Sequence, residues 1–420
     1  MGAEIDRFLW EHNQVTRRWL LQAGAAGVAA LQAGTQSADE TPRSSVLAEA
    51  IDGLESFLTP QDEFGDVSRG TPKPHSLTDE QKRDVGLTRE TWSLDVISDT
   101  EHPAKLGQEF TKEQGTAITF DQLMMLAETH AVRFAKVMTC LNMGCPLGMG
   151  IWEGVPLREI IWQTEAKADL RRVFYYGYHN DDPDQMFRSS LPIGRVLEDP
   201  YGLPPVVLCY KLNGEWLTSE RGGPVRVIVP EAYGFKSIKW LSHLVLSNIP
   251  HANDTYAEKN NDVDSPLKTF AATLSVPKKV EADSPFTVTG YAQVGISGLS
   301  KVQVWMHKEG DELPESDDYF AAAPWMDAEI LPPPKVWGGG LPDNHVPSPT
   351  LGFDPQTGKP ATWPMRLGKV HWAMLVDGLT PGKYTLRSRS IDDNGHAQPM
   401  PRPFRKSGHS AIELVEFEVT

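Results

Sequence analysis

The sequence predicts an α+β fold in two parts, a mixed α/β domain followed by an all-β sandwich of immunoglobulin-like (Ig-like) type, and three observations carry that prediction. The chain has 420 residues, 40% of them hydrophobic, which is more than one hydrophobic core usually organises. Between residues 91 and 270, short β-branched runs alternate with helical stretches, the pattern of a mixed sheet. From residue 271 the spacing turns to period two, turn residues recur and helical spacing all but disappears.

Taken in order, residues 1–38 contain the pair Arg17-Arg18, a weakly apolar Ala/Gly/Leu stretch and a polar tail. A bilayer span needs about 20 strongly apolar residues, so the stretch reads as the apolar part of a signal, and the paired arginines make it twin-arginine in type. That predicts export of the folded chain to the periplasm, a route often taken by proteins that carry a cofactor. The alternative is an ordinary N-terminal helix, which would place Leu and Ile at helical spacing. No later segment is apolar enough to span a membrane. Residues 39–90 are polar and rich in Pro, Asp and Glu, and read as an extended lead-in. In the mixed domain, 91–270, TWSLDVISD, VVLCYKL, VRVIVP and IKWLSHLVL read as strands, and TFDQLMMLAETHAVRF and VPLREIIWQTEA as helical. In 271–420, Phe286 and Val288, then Val302, Val304 and Met306, mark the inward faces of strands. A Pro/Gly-rich insertion at 309–362 reads as a long loop, and its Trp325 and Trp337 favour a packed lid over a free tail.

The formal charge of −16 repels nucleic acid and anionic lipid, so an anionic substrate needs a local cationic pocket. Three cysteines allow at most one bridge. Cys140 follows the strand-like FAKVM and precedes a Gly/Met/Pro loop, a position where clefts form. There it is a soft metal ligand, a partner for Cys145, or a small buried hydrophobe. Cys209, inside VVLCYKL, reads as core. Arg221, Arg226, Lys236 and Lys239 alternate with glycines between residues 221 and 239, a cationic strip suited to a phosphate.

The succession FDQLMMLAETHAVRFAKVMTC, WEGVPLREII, SSLPIGRVL, KLNGEWLTSERGGPVRVIVPEAYGFKSIKWL, GYAQVGISGLSKVQVWM and RSIDDNGHAQP resembles the molybdenum-pterin oxidoreductases of the sulfite oxidase family, over roughly residues 55–420. The resemblance implies one molybdenum-molybdopterin cofactor per chain, its metal bound by the thiolate of Cys140, and an Ig-like domain that mediates dimerisation. It places Arg226, Ser237, Ile238 and Lys239 on the pterin phosphate and ring, with Arg221 where the family usually has histidine. Arg69 falls near the family's substrate-lining N-terminal segment, and His179 where an aspartate is common. Arg387 and Arg389 are further candidates for substrate contact.

The expected reaction is oxygen-atom transfer, sulfite to sulfate, on a small anionic or sulfur-containing substrate. With no Cys-x-x-Cys-His sequence, no covalently attached haem is expected. Electrons are therefore expected to pass to a separate acceptor such as a cytochrome. The chain departs from the family at Leu141–Cys145, which offers no arginine, and at NNDVDSP, which leaves Tyr256 and Val263 where the family has a metal-facing tyrosine. Reduction of a sulfoxide, and an exported binding protein that keeps the fold without catalysis, are the alternatives.

Overall fold

The computed structural model describes residues 45–259, 261–264, 266–313, 320–399, 406–408 and 411–420. The Arg17-Arg18 signal reading lies outside them. The chain divides into two compact units, Met1–Ala48 and Glu49–Thr420. Among the described residues, every strand belongs to the second unit.

Its first ten strands are β1 (Ser93–Ser98), β2 (Ile118–Thr119), β3 (Val132–Thr139), β4 (Pro146–Pro156), β5 (Arg172–Gly177), β6 (Ser189–Pro192), β7 (Val207–Leu212), β8 (Glu215–Trp216), β9 (Arg226–Ile228) and β10 (Leu241–Ser247). They form two sheets. One runs β2-β1-β10-β5-β6 with β1 parallel to β10. The other runs β3-β4-β7-β8 with β9 paired to β7, all antiparallel.

The helix Phe120–His130 starts where Thr119 and Gln122 cap each other's backbone N–H groups, and it buries Phe120 and Leu123. Beyond it comes β3, whose last four residues are all buried. The strand therefore runs from the surface into the core and delivers Cys140 at its inner end. Beside it on β4, Trp152 is fully buried and donates its indole N–H to Lys136 O at 3.1 Å.

The C-terminal strands are β11 (Phe270–Ser275), β12 (Lys279–Val280), β13 (Phe286–Gln293), β14 (Lys301–Lys308), β15 (Met326–Ile330), β16 (Lys369–Val376), β17 (Gly382–Ile391) and β18 (Glu413–Val419). They follow one hydrogen-bonded path, β11-β13-β16-β15-β14-β17-β18-β12. Strand β15 carries the path across: Met326 to Ala328 pair with β14, and Glu329 and Ile330 pair with β16. The expected inward residues Phe286, Val288, Val302 and Val304 are buried in a core of their own.

The stretch 309–362, read as a long loop, holds β15 and a segment that completes the first core. Trp337 packs edge-on to Phe57 at 5.1 Å and to Phe353 at 5.2 Å, and Leu351 N donates to Arg133 O at 2.8 Å. Proline and glycine content hid these contacts because they are tertiary. Among its described residues none lines the cavity that holds Cys140, so its packing is not that of a lid there.

The lead-in lies against β4 and β7. Thr59 N donates to Met149 O and Gly65 N to Leu147 O, each at 2.8 Å. Buried Asn213 fastens it: its Oδ1 accepts from Ile151 N at 2.9 Å, while its Nδ2 donates to Thr59 O and Gly339 O, both at 2.9 Å. At the C-terminal sheet, Glu55 pairs with buried Lys369 and lies 3.6 Å from the ring of buried His371.

Candidate active-site cavity

A cavity of about 460 Å³ opens between the lead-in, the loop after β3, the turn before β10 and the loop after β10. Cys140 lines it, as do Arg221, Arg226, Ser237, Ile238 and Lys239 from the cationic strip. Arg69 and His179 line it too. Eight residues chosen from separate stretches of sequence thus face one space.

Cys140 is half-buried, and all three cysteines are free thiols, so no bridge joins it to Cys145. The strand end before it is clamped to the C-terminal sheet. Thr139 Oγ1 donates to Gln293 Oε1 at 2.5 Å, and Gln293 Nε2 donates to Lys268 O at 2.7 Å. Both side chains of that bond are fully buried, where an unpaired partner would cost about 1–3 kcal/mol.

Opposite stands a wall of cations anchored on main-chain carbonyls. Arg221 Nη1 donates to Phe64 O at 2.7 Å, Arg226 Nη1 to Arg221 O at 2.7 Å, and Arg226 Nη2 to Ser237 O at 2.6 Å. Lys239 Nζ donates to Glu220 O at 2.7 Å and Ser68 Oγ at 2.8 Å, and pairs with Asp66 at 3.0 Å. Burial, with Arg226 alongside, brings the Lys239 ammonium down to about 8, and burial brings Arg226 to about 10. Burial opposes the charge of Asp66, yet hydrogen bonds from Ser68 and Lys73 together with the Lys239 charge hold its carboxyl far below the usual range.

Among the described residues, Nε of Arg221 and Nε of Arg226 are buried without a hydrogen-bond partner. Buried donors in a cationic wall call for an anion with several acceptor oxygens. Two glycines make room for the wall. Gly222 has φ +95°, and a Cβ there would come 2.6 Å from Lys239 Cγ; one on Gly177 would meet Lys239 O at 2.0 Å.

At the cavity rim the Arg69 guanidinium lies 4.9 Å from the Phe187 ring centre. His179 Nδ1 donates to Gly177 O at 2.7 Å, and burial holds its ring below the ordinary histidine range, favouring the neutral form. Tyr256 stacks on Phe235 with ring centres 4.3 Å apart, and Asn142 lines the cavity with it. Burial, then the neighbouring Cys140, push its hydroxyl above the ordinary tyrosine range.

Three expectations change. Lys236 does not line the cavity: it is buried on the far side of its turn and donates to Ser190 O at 2.7 Å. Arg387 and Arg389 do not line it either. They share one face of β17 and stack on aromatic rings, Arg387 at 4.9 Å from Trp305 and Arg389 at 4.1 Å from Trp325. Sequence reasoning also missed Asp66 and Ser68, which tie down Lys239, and Lys406, which reaches the rim from beyond β17. No local signal marks Lys406; the bonds from Asp262 N to Lys406 O, 2.9 Å long, and from Ser407 Oγ to Asp262 Oδ2, 3.1 Å long, hold its segment there.

Residues 82–255 match the family described as an oxidoreductase molybdopterin binding domain. The sulfite oxidase of Gallus gallus is 26% identical over 275 residues, 58% of this chain and 55% of that protein. The mitochondrial sulfite oxidase of Drosophila melanogaster is 30% identical over 116 residues, 27% of this chain and 19% of that protein. Residues 82–255 are a molybdopterin-binding domain of the sulfite oxidase family.

A nitrate reductase that uses NADPH, from Neurospora crassa, is similar to this molybdopterin-binding chain at 26% identity over 213 residues, 47% of this chain and 21% of that protein. The chain spans between about a fifth and about half the length of these relatives. The crystal structure of the sulfane dehydrogenase SoxCD from Paracoccus pantotrophus shares the fold, with a TM-score of 0.55 at 16% identity, over 92% of this chain and 90% of that one.

The cofactor of the molybdopterin-binding domain is molybdenum-molybdopterin. The cavity suits it: one thiol at Cys140 able to bind the metal as thiolate, and unsatisfied guanidinium donors for a phosphate. Among the described residues no helix is long and apolar enough to cross a membrane.

Proposed function

We propose that this molybdopterin oxidoreductase oxidises sulfite to sulfate and passes two electrons to a separate acceptor such as a cytochrome. The overall change is SO₃²⁻ + H₂O → SO₄²⁻ + 2H⁺ + 2e⁻. The observation that carries the reading is the meeting of Cys140 with the Arg221–Lys239 wall in one cavity whose rim holds a further cation, Arg69. Cys140 would hold the metal; Arg221, Arg226, Ser237, Ile238 and Lys239 would hold the pterin and its phosphate, and His179 would flank them. When bound, the molybdenum centre supplies oxygen-atom transfer and two-electron redox chemistry.

The chain's own residues bind and orient around it. Arg69 supplies positive charge where the substrate's negative charge sits, and its stack on Phe187 holds the guanidinium in place. Tyr256, which lines the cavity with Cys140, offers its O–H to a substrate oxygen. His179, neutral with Nδ1 donating to Gly177 O, presents Nε2 as a proton acceptor.

Elemental analysis of protein from a host that makes the pterin, with a sulfite assay using an artificial electron acceptor, tests the reading. It expects about one molybdenum per chain and sulfite-dependent reduction of the acceptor; metal-free, inactive protein would point to a non-catalytic binding protein. A second reading, reduction of a neutral sulfoxide, is favoured by Leu141–Cys145, which brings no cation to the metal ligand, and by the Phe187, Phe235 and Tyr256 rings at the rim. An assay with dimethyl sulfoxide and a reduced dye separates the two.

We also infer that the Arg17-Arg18 segment directs export to the periplasm, and that the C-terminal strands form an Ig-like sandwich through which two chains pair. Support comes from the signal-like composition, from β15 bridging two strand layers, and from the separate core between them. Cell fractionation and light scattering test these.

A further inference from the structure

We propose that Asp254, buried and outside the cavity, is a positioning residue that sets Tyr256 against the loop of Cys140. Asp254 is 1% exposed. Its Oδ1 accepts from Tyr256 N at 3.1 Å and Ala257 N at 3.2 Å, which fixes the turn that carries Tyr256. Its Oδ2 accepts from Ser190 Oγ at 2.8 Å and lies 3.9 Å from Lys236 Nζ.

Lys236, also 1% exposed, is the last residue of the short turn Gly234–Lys236 that leads directly into Ser237, Ile238 and Lys239. Arg172 Nη1 donates to Ser190 Oγ at 3.1 Å, and Tyr175 O–H donates to Lys236 O at 2.9 Å. Behind the cavity, one network of hydrogen bonds and charge therefore joins the wall that would hold the cofactor to the loop that carries Tyr256.

In front, one contact repeats the link: Phe235, in the turn that ends at Lys236, stacks on Tyr256, and Asn142, two residues beyond Cys140, lines the same cavity. Asparagine would cap the same turn without a charge. A carboxylate and an ammonium taken out of water persist together only where their geometry is well satisfied. Here the pair lies where it fixes the separation of two cavity walls, so its charge serves the placement of the Tyr256 hydroxyl.

The substrate arm of the test rests on the sulfite reading; the labelling arm does not. In cofactor-loaded enzyme, Asp254→Asn and Tyr256→Phe are each expected to lower kcat/KM for sulfite about tenfold, and the double variant no more than about twofold further, since residues acting as one unit are not additive. In cofactor-free protein, alkylation of Cys140 by iodoacetamide, followed by peptide mass spectrometry, should speed up several-fold in each single variant and no further in the double.

Independent, multiplying effects in either arm would overturn the proposal. So would an Asp254→Asn protein that matches wild type in both. If Asp254→Asn does not fold, the Asp254→Asn/Lys236→Met protein, which removes both buried charges, takes its place. A folded protein of that kind with wild-type labelling and kcat/KM would overturn the proposal. A wild-type enzyme without sulfite activity would sink the substrate reading and leave the labelling arm to decide this one.

Discussion

Single residues carry the chemistry, and the most direct prediction concerns one sulfur. Replacing Cys140 by serine should lower molybdenum content more than about tenfold while the melting temperature of the cofactor-free protein changes little, because Cys140 is half-buried at a strand end. Arg226→Lys keeps the charge but loses the fork that reaches both Arg221 O and Ser237 O. Cofactor occupancy, measured by metal analysis, should fall about tenfold.

Lys136 makes a separate prediction. It is fully buried on β3, donates to Ala232 O at 2.8 Å, and burial, with Arg226 adding to it, brings its ammonium from 10.5 to about 7. Between those values the unfolded chain holds a proton that the folded chain has released, so stability rises with pH there. Lys136→Met should remove up to about 1.4 kcal/mol per pH unit of that slope, measured by chemical denaturation from pH 7 to 10.

Cys140 was legible in the sequence because a strand-like run and a Gly/Met/Pro loop bracket it. Lys236 and Arg387 were not, because charge spacing leaves open which side of a turn or strand meets the cavity.

Among elements, the lead-in is the one whose role composition concealed. Its prolines and acids read as an extended path, and it supplies Phe64, Ser68 and Arg69 to the cavity while Asp66 restrains Lys239. Those contacts join residues more than 140 positions apart, which no local pattern records. Its attachment to β16 should depend on acid. His371, against the opposing effect of burial and with help from Lys369, brings the Glu55 carboxyl from 4.5 down to about 2. That stabilisation is complete above pH 4.5 and is lost as pH falls toward 2. Because Glu55 is half exposed, the pair is worth about 1 kcal/mol or less. Glu55→Gln should lower the melting temperature by about one degree at pH 6 and by less near pH 3.

By contrast, β7 and β10 were readable from β-branched runs and the end of β3 from the apolar FAKVM, while the helical reading that caught Phe120–His130 ran on through Val132–Phe134, which begin β3. Strand β15 was not readable, because it sits in a Pro/Gly-rich stretch and owes its form to partners on both sides.

For the whole molecule, two cores were legible from the change of period near residue 271, but their interdependence was not. Trp337, Leu341 and Val346 complete the first core from far along the chain, and Gln293 holds the end of β3. A chain cut after residue 270 should therefore fail to bind molybdenum and should aggregate. The milder Gln293→Ala should lower stability by about 1–3 kcal/mol, read by denaturant titration, because Thr139 would lose its buried partner.

The wall around Arg221 and Arg226 has one further consequence. Its guanidinium groups rest on carbonyls of the chain itself, so the receiving surface exists before anything arrives. Loading the finished polypeptide should then resemble seating a key in a cut lock: one concentration-dependent phase in stopped-flow, with no slower rearrangement behind it.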